Sequence, residues 1–164
     1  MRRDNLRAIV GSTVLDLRNR WVSIVEVTYL TEASARQISS ILSQIPDIDL
    51  ESQHTVWGRS IKLNADDEEA RRIWRHLMHW RYHVDDVYVH LYGIIPVTGW
   101  ISIRDLASEA HMIQSDVIKC LGWMGNDVQV KGANRQMMCC RIGDTDVSEH
   151  KGTAEPGDLV SERR

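Results

Sequence analysis

The sequence predicts an α+β fold, mostly α with small β hairpins, in which one structural unit occurs twice. The first observation is the similarity of "RWVSI", which begins at Arg20, and "GWISI", which begins at Gly99, 79 residues later. The second is that the similarity continues when the whole sequence is shifted by 79 residues. The third is a helical periodicity that joins the two segments. Internal repetition of this kind indicates a chain built from like units.

The shifted alignment pairs apolar residues with apolar residues over about 25 positions. The pairs are Trp21 with Trp100, Ile24 with Ile103, Val27 with Leu106, Ile38 with Val117, Leu42 with Leu121 and Ile45 with Met124. The alternative is that two unrelated amphipathic segments share a short strand. We favour the repeat because the matches recur at helical intervals well beyond the pentapeptide.

The second copy shows the clearer order of elements. Residues 85–95 have apolar side chains at helical spacing, and Pro96 and Gly99 end that helix. "WISI" alternates as a short strand, whereas "RDLASEAH" and the segment after "MIQS" are helical. The β-rich runs of "VQVKGANRQMMCCRI" flank a turn that contains Gly and Asn, which predicts a hairpin. The buried face of the third helix is predicted to consist of Ile113, Val117, Ile118, Leu121 and Met124.

The first copy follows the same order less clearly. Residues 4–19 are predicted to be helical, although Gly11 weakens the helix, and "WVSI" is the strand. "VEVTYL" takes the position of the second helix, but its β-branched residues favour a helix poorly, so we expect a departure here. The third helix is predicted to bury Ala35, Ile38, Ile41, Leu42 and Ile45, and the hairpin after it to turn near Gln53 or Gly58.

The order of elements resembles the winged helix-turn-helix superfamily. The resemblance is carried by "ISIRDLASEAHMIQSDVIKCLGWM" and the hairpin that follows it. It implies two tandem winged-helix units, residues 1–64 and 84–143, joined by an amphipathic helix over residues 65–83. That connecting helix has Ala70, Ile73, Trp74 and Leu77 at helical intervals, with Asn64 as its predicted N-cap. The polar tail, residues 144–164, is predicted to be disordered.

Catalysis is not expected from the motifs present. His76, His79 and His83 have helical spacing that zinc ligands also use, but no HExxH motif accompanies them, so we favour a solvated helix face. Cys139 and Cys140 alternate on a strand and are predicted to be structural. No Gly-rich phosphate loop is present. The sequence therefore predicts no enzyme, no cofactor and no metal site.

Composition predicts a cytoplasmic protein without a membrane partner. No apolar run reaches the roughly 18 residues of a transmembrane helix, and the N-terminal segment lacks the pattern of a secretory signal. The three cysteines have no spaced framework, as expected for a reducing compartment. With 20 basic and 23 acidic residues the net charge is −3, so any positive field must be local.

The resemblance implies binding of double-stranded DNA, with the third helix in the major groove and the wing on the backbone or minor groove. Such a protein would be a transcriptional regulator or a replication- or chromosome-associated factor. The polar and basic residues of the third helices and wings are the candidate DNA contacts. They are Arg36, Gln37, Ser40, Arg59 and Lys62 in the first unit, and Gln114, Ser115, Lys119, Lys131 and Arg135 in the second. Gln44 and the N-terminal Arg2, Arg3 and Arg7 add to the first set.

The alternative is a tandem winged-helix adaptor that mediates protein–protein assembly without touching DNA. The resemblance permits this because tandem winged helices also occur in adaptors and in partner proteins of chromosome-organising complexes. The acidic net charge and the six Trp residues favour it, since Trp often anchors protein interfaces. Trp57 and Trp123 are the candidate contacts to a protein partner or to a second copy of the chain.

Overall fold

The computed structural model of the chain describes residues 2–133 and 136–142. It divides into two compact units, of which the first ends at Val87 and the second begins at Tyr88. Arg135 and the predicted tail lie outside the described residues. Within the described part of the chain, no helix is both long enough and apolar enough to cross a bilayer.

The first unit contains four helices and an antiparallel sheet. Its elements are α1 (Arg3–Asp16), β1 (Val22–Ser23), α2 (Ile24–Thr31), α3 (Ala35–Ser43), β2 (Asp49–Thr55), β3 (Gly58–Asn64) and α4 (Asp67–Tyr82). The strand order is β1-β3-β2, so the short first strand pairs with the last strand of the hairpin. This places α2 and α3 between the first strand and the hairpin in sequence, as in a winged helix.

The second unit repeats that order. Its elements are α5 (Val87–Ile94), β4 (Ile101–Ser102), α6 (Ile103–Ala110), α7 (Gln114–Met124), a 3₁₀ turn (Gly125–Asp127), β5 (Val128–Lys131) and β6 (Met138–Arg141). The strand order β4-β6-β5 matches that of the first sheet. The predicted fold class, an α+β fold that is mostly helical with small β hairpins, is confirmed.

The 79-residue shift found in the sequence also relates the structural boundaries. The second helices, α2 and α6, begin 79 positions apart, and so do the hairpin strands β2 and β5. Ser23 and Ser102 are the N-caps of α2 and α6, and each accepts a backbone N–H with its hydroxyl. Both helices end on a left-handed residue, Glu32 with φ of 60° and His111 with φ of 56°.

The expectation that "VEVTYL" departs from a helix is wrong. The Ser23 hydroxyl accepts the Val25 N–H at 3.1 Å, and Thr31 donates to the Val27 carbonyl at 2.7 Å. Ile24 and Val27 are buried, with exposures of 6% and 0%. Capping and burial of one face therefore outweigh the weak helix preference of the β-branched residues.

The helix predicted to connect the units belongs to the body of the first unit. It is α4, and Asp66 caps it instead of Asn64, because the Asp66 carboxylate accepts the Glu69 N–H at 2.8 Å. α4 packs against α1. At this contact, Gly11 brings the two helices so close that a Cβ on it would overlap the side chain of the fully buried Leu77.

The third helices bury most, but not all, of the residues predicted for their inner faces. Ala35 is exposed, and Ile113 and Ile118 keep exposures of 47% and 43%. Instead, Ala33 and Met112, which precede the N-caps, are buried at 0% and 7% exposure. The residue before an N-cap often packs inward and fixes the entry of the chain into the helix, and the helical spacing alone does not reveal this.

Candidate nucleic-acid interface

α3 presents a polar outward face that is anchored at its first turn. The Ser34 hydroxyl accepts the Gln37 N–H at 3.2 Å, and the Gln37 side-chain oxygen accepts the Ser34 N–H at 2.9 Å, which forms a capping box. Arg36, Gln37 and Ser40 are exposed. Because α3 carries no acidic residue, its outward face adds no negative charge.

A cleft of about 350 Å³ lies where the N-terminal part of α1 approaches this face of α3. Its polar lining comes from Arg3 and Arg7 of α1 and from Ser34, Arg36, Gln37, Ser40 and Gln44 of the α3 region. Three arginines thus line one cleft, and no Asp or Glu is among its lining residues. Arg3 and Arg36 give the cleft a local positive field in a chain whose net charge is −3, because Asp4 offsets the charge of Arg7.

Arg7 is the most enclosed of the three arginines. Its guanidinium lies 5.4 Å from the centroid of the Trp80 ring, and it pairs with Asp4 at 3.6 Å. Its Nε is buried and has no hydrogen-bond partner among the described residues. Arg3 and Arg36, in contrast, are exposed and make no ion pair within the described part of the chain.

The two candidate residues of the first wing lie on opposite faces of the hairpin. Arg59 donates to the hydroxyls of Ser52 at 2.9 Å and Ser39 at 2.7 Å, so it ties the wing to α3. Lys62 pairs with Glu51 across the strands and points to the face opposite that of Arg59, because side chains alternate along a strand. Arg59 therefore positions the wing, and Lys62 lies on the other face of the hairpin, opposite Glu51 in the strand register.

The tip of the first wing is apolar. Thr55 and Gly58 pair, and Val56 and Trp57 between them form the turn, with exposures of 93% and 88%. The Thr55 hydroxyl accepts the Trp57 N–H at 3.1 Å and donates to the Gly58 carbonyl at 3.2 Å. Gly58, with φ of 109°, is thus at the turn, which agrees with one of the two predicted turn positions, Gln53 and Gly58.

The candidate residues of the second unit are arranged differently. Gln114 and Ser115 are exposed at the start of α7. The ammonium of Lys119 lies 5.6 Å from the Trp123 ring centroid, and that of Lys131 lies 4.0 Å from the Trp100 ring centroid. Both lysines thus cover aromatic rings, and Trp123 is half-buried beneath one of them.

The three histidines of α4 have different partners. The His76 ring packs edge-on to Trp80 at 4.8 Å, and burial lowers the pKa of His76. His79 shares a hydrogen bond with the Val84 carbonyl at 2.8 Å, whereas His83 lies 3.6 Å from Asp4. In the described ranges, no group of three or more His, Cys, Asp or Glu side chains has a metal-binding arrangement.

The cysteines are free thiols. Cys120 and Cys139 are buried, and Cys140 is half-buried. Burial raises the pKa of Cys139 to about 11, so this thiol is protonated at neutral pH. A protonated, buried thiol is a poor nucleophile.

Element order, sheet order and the α3 face together define a winged-helix-like α+β protein. No protein-family model and no curated protein matches the chain. Among solved structures, ScpB from Mycobacterium tuberculosis matches 92% of this chain and 97% of that chain, with 12% identity and a TM-score of 0.29. The DIP2311 protein from Corynebacterium diphtheriae matches 83% of this chain and 26% of that chain, with 15% identity and a TM-score of 0.31.

Proposed function

We propose that this chain is a non-enzymatic protein that binds double-stranded DNA through α3 of its first unit. The observation that carries the proposal is the cleft in which Arg3, Arg7 and Arg36 converge beside Gln37 and Ser40. Arginines beside a helix of polar side chains supply both requirements of DNA binding. They neutralise phosphates, and the helix offers hydrogen-bond donors to base edges. The role would be that of a transcriptional regulator or a replication- or chromosome-associated factor.

The arrangement favours entry of α3 by its N-terminal end. In helix-turn-helix proteins the first residues of the recognition helix contact bases, and Arg36, Gln37 and Ser40 occupy the first two turns of α3. Arg3, at the start of α1, lines the same cleft and would meet a flanking phosphate. Arg59 would hold the wing against α3 during binding, because it already bridges them.

The test measures the affinity for a mixed-sequence duplex at several salt concentrations. The double variant Arg3→Ala/Arg36→Ala should lower the slope of log affinity against log salt by about 2, close to 0.9 for each lost phosphate contact. Arg71→Ala is the matched control, because Arg71 is exposed on α4 and does not line the cleft. No salt-dependent binding at low salt, or an equal loss in Arg71→Ala, would refute the proposal.

The second candidate function, a protein–protein adaptor, is favoured by the wing tip. A Trp with 88% exposure at the end of a hairpin is a large apolar side chain in water, and such residues often anchor interfaces. Trp123 fits this role less well because it is half-buried beneath Lys119. Trp57→Ala separates the candidates: it should lower the affinity for DNA if the tip contacts the duplex, and leave that affinity unchanged if the tip contacts a protein partner instead.

We also propose a cytoplasmic location without a bound cofactor or metal. The three free thiols support a reducing compartment. Fractionation of cells that express the full chain tests the location. Recovery with membranes or in the secreted fraction would contradict it.

A further inference from the structure

The cleft between α1 and α3, which we call the α1–α3 cleft, has an apolar part that contact with DNA would not use. Leu6 of α1 and Ile41 of α3 line it together with the polar and basic side chains. Ile41 is buried at 5% exposure, whereas Arg3 and Arg36 are exposed. The phosphates on the convex outer surface of a duplex would meet the two exposed arginines and leave the apolar lining without a partner.

The size and the lining of the α1–α3 cleft are those of a small-molecule site. Its volume of about 350 Å³ lies within the range of about 300–1,000 Å³ that is typical of such sites. They combine apolar side chains with a few polar groups that fix the orientation of the ligand. Here Leu6 and Ile41 supply the apolar part, and serine, glutamine and arginine side chains supply the hydrogen-bonding groups.

Arg7 gives the lining a donor that the protein itself leaves unused. Its side chain is only 21% exposed, and its buried Nε has no hydrogen-bond partner in the described part of the chain. The Trp80 ring at 5.4 Å and the Asp4 carboxylate at 3.6 Å hold the guanidinium in place. A buried donor without an acceptor is unfavourable, and a ligand oxygen that accepts from it removes the penalty. An enclosed, pre-positioned guanidinium therefore favours an oxyanion small enough to enter the cleft.

The packing of α3 does not require the positive charge at its first turn. α7 begins 79 residues after α3 and has Ser115 and Asp116 at the positions of Arg36 and Gln37. A helix in this place of the repeat therefore forms without a cation and with a carboxylate in its first turn. The cation and the lack of a carboxylate in α3 thus point to recognition of an anion.

We propose that the α1–α3 cleft binds a small organic anion, in which a phosphate or carboxylate group is attached to an aromatic or aliphatic body. The oxyanion accepts hydrogen bonds from Arg7 and Arg36, and the body packs on Leu6 and Ile41. The bound anion competes with DNA, because Arg36 is also a proposed DNA contact. This competition rests on the proposed function, whereas the site itself does not.

Phenyl phosphate is the probe for the site, because it joins an oxyanion to an aromatic ring. Its binding to the full chain is measured without DNA by nitrogen-15 NMR, which follows the Nε–H of Arg7 directly. Phenyl phosphate should shift that resonance and bind at least about 10-fold more tightly than inorganic phosphate, which lacks the ring. Benzyl alcohol, which lacks the charge, should cause no shift.

Two variants test the lining, and circular dichroism checks that they stay folded. Gln37→Glu adds a carboxylate to the cleft and keeps the capping box, in which Glu serves as well as Gln. Arg7→Lys keeps the charge and loses the Nε donor. Each should weaken phenyl phosphate binding at least about 10-fold. Gln53→Glu and Arg71→Lys are the matched controls, because both residues are exposed and do not line the cleft. They should bind phenyl phosphate as the wild type does.

Three results would overturn the site: equal affinity for phenyl phosphate and inorganic phosphate, no shift of the Arg7 Nε–H, or a Gln37→Glu variant that binds as tightly as Gln53→Glu. The last comparison decides the matter if Arg7→Lys unfolds.

Fluorescence anisotropy of a labelled mixed-sequence duplex tests the competition at constant ionic strength. Phenyl phosphate at ten times its own dissociation constant should raise the apparent dissociation constant for DNA about 10-fold. Phenyl phosphate binding with an unchanged DNA affinity would overturn the competition. Phenyl phosphate binding by a chain that does not bind DNA would refute the proposed function and the competition together, and it would support the site.

Discussion

Replacing Gly11 by Ala should destabilise the protein, although the same change in most helices is stabilising. Gly in a helix interior is less favourable than Ala by about 1 kcal/mol. At Gly11, however, the new Cβ would overlap Cδ2 of Leu77 and lie 3.0 Å from its Cδ1 and 3.2 Å from its Cγ. Leu77 is fully buried and cannot turn into solvent. Overpacking a core costs about 1–3 kcal/mol, and contact with three carbons at once favours the upper part of that range.

The expected net result is a loss of about 1–2 kcal/mol in the free energy of unfolding. Urea denaturation measures it, and hydrogen–deuterium exchange of peptides from each unit assigns the change to the first unit. Gly122→Ala is the control, because Gly122 lies inside α7 with no heavy atom within 4 Å of its would-be Cβ. That variant should gain about 0.5–1 kcal/mol.

A double-mutant cycle measures the coupling between positions 11 and 77. Leu77→Ala should cost about 2–5 kcal/mol by leaving a cavity. In that background the overlap is gone, so Gly11→Ala should become stabilising by about 1 kcal/mol. The sign of the Gly11 effect thus reverses with the residue at position 77. A stabilising Gly11→Ala in the wild-type background would refute the close approach of α1 and α4 described above.

Three further outcomes follow from local geometry. Ser34→Ala removes half of the α3 capping box and should cost about 1 kcal/mol, measured by urea denaturation. Cys140 should react with a thiol reagent at pH 8 well before Cys139, whose pKa burial raises to about 11; mass spectrometry of partly labelled protein identifies the site. Burial lowers the pKa of His76 in the folded protein below its ordinary value of 6.5. Near and below pH 6.5 the unfolded state therefore binds more protons than the folded state does. Stability should therefore fall as pH decreases through this range, and His76→Gln should flatten the dependence seen in chemical denaturation between about pH 7 and pH 5.

The repeat was the part of the fold that the sequence revealed best. Trp21 and Trp100 keep nearly equal exposures, 39% and 37%, and each precedes a two-residue strand. Both tryptophans thus have the same place relative to the first strand of each sheet. The helical spacing likewise identified Ile38, Leu42, Val117 and Leu121, all of them buried.

The sequence misled where a helix is apolar on both faces. Periodicity predicts a helix from the contrast between buried and exposed residues, and α2 lacks that contrast because Val25, Tyr29 and Leu30 are exposed. The helical spacing showed neither the Ser23 cap nor the left-handed conformation of Glu32.

The sequence predicted the candidate DNA contacts from their residue types and positions, but only the structure shows which of them lie together. Arg36, Gln37 and Ser40 do share a face of α3, as the helical spacing indicated. The contribution of Arg3 and Arg7 to the same cleft depends on how α1 crosses α3, which no local pattern encodes. The opposite orientations of Arg59 and Lys62 follow from strand alternation once the turn at Gly58 is fixed. Had the turn been at Gln53, the pairing of both residues would have been different.

The left-handed residues that end α2 and α6 are places where a substitution should raise the thermal stability of the protein. Glu32 and His111 occupy a backbone region that costs a residue with a Cβ roughly 1 kcal/mol, and glycine enters it without penalty. Evolution seldom brings a protein to its stability optimum. The same substitution, to glycine at the residue that ends the second helix, is thus available in each half of the chain as a way to make the protein more stable.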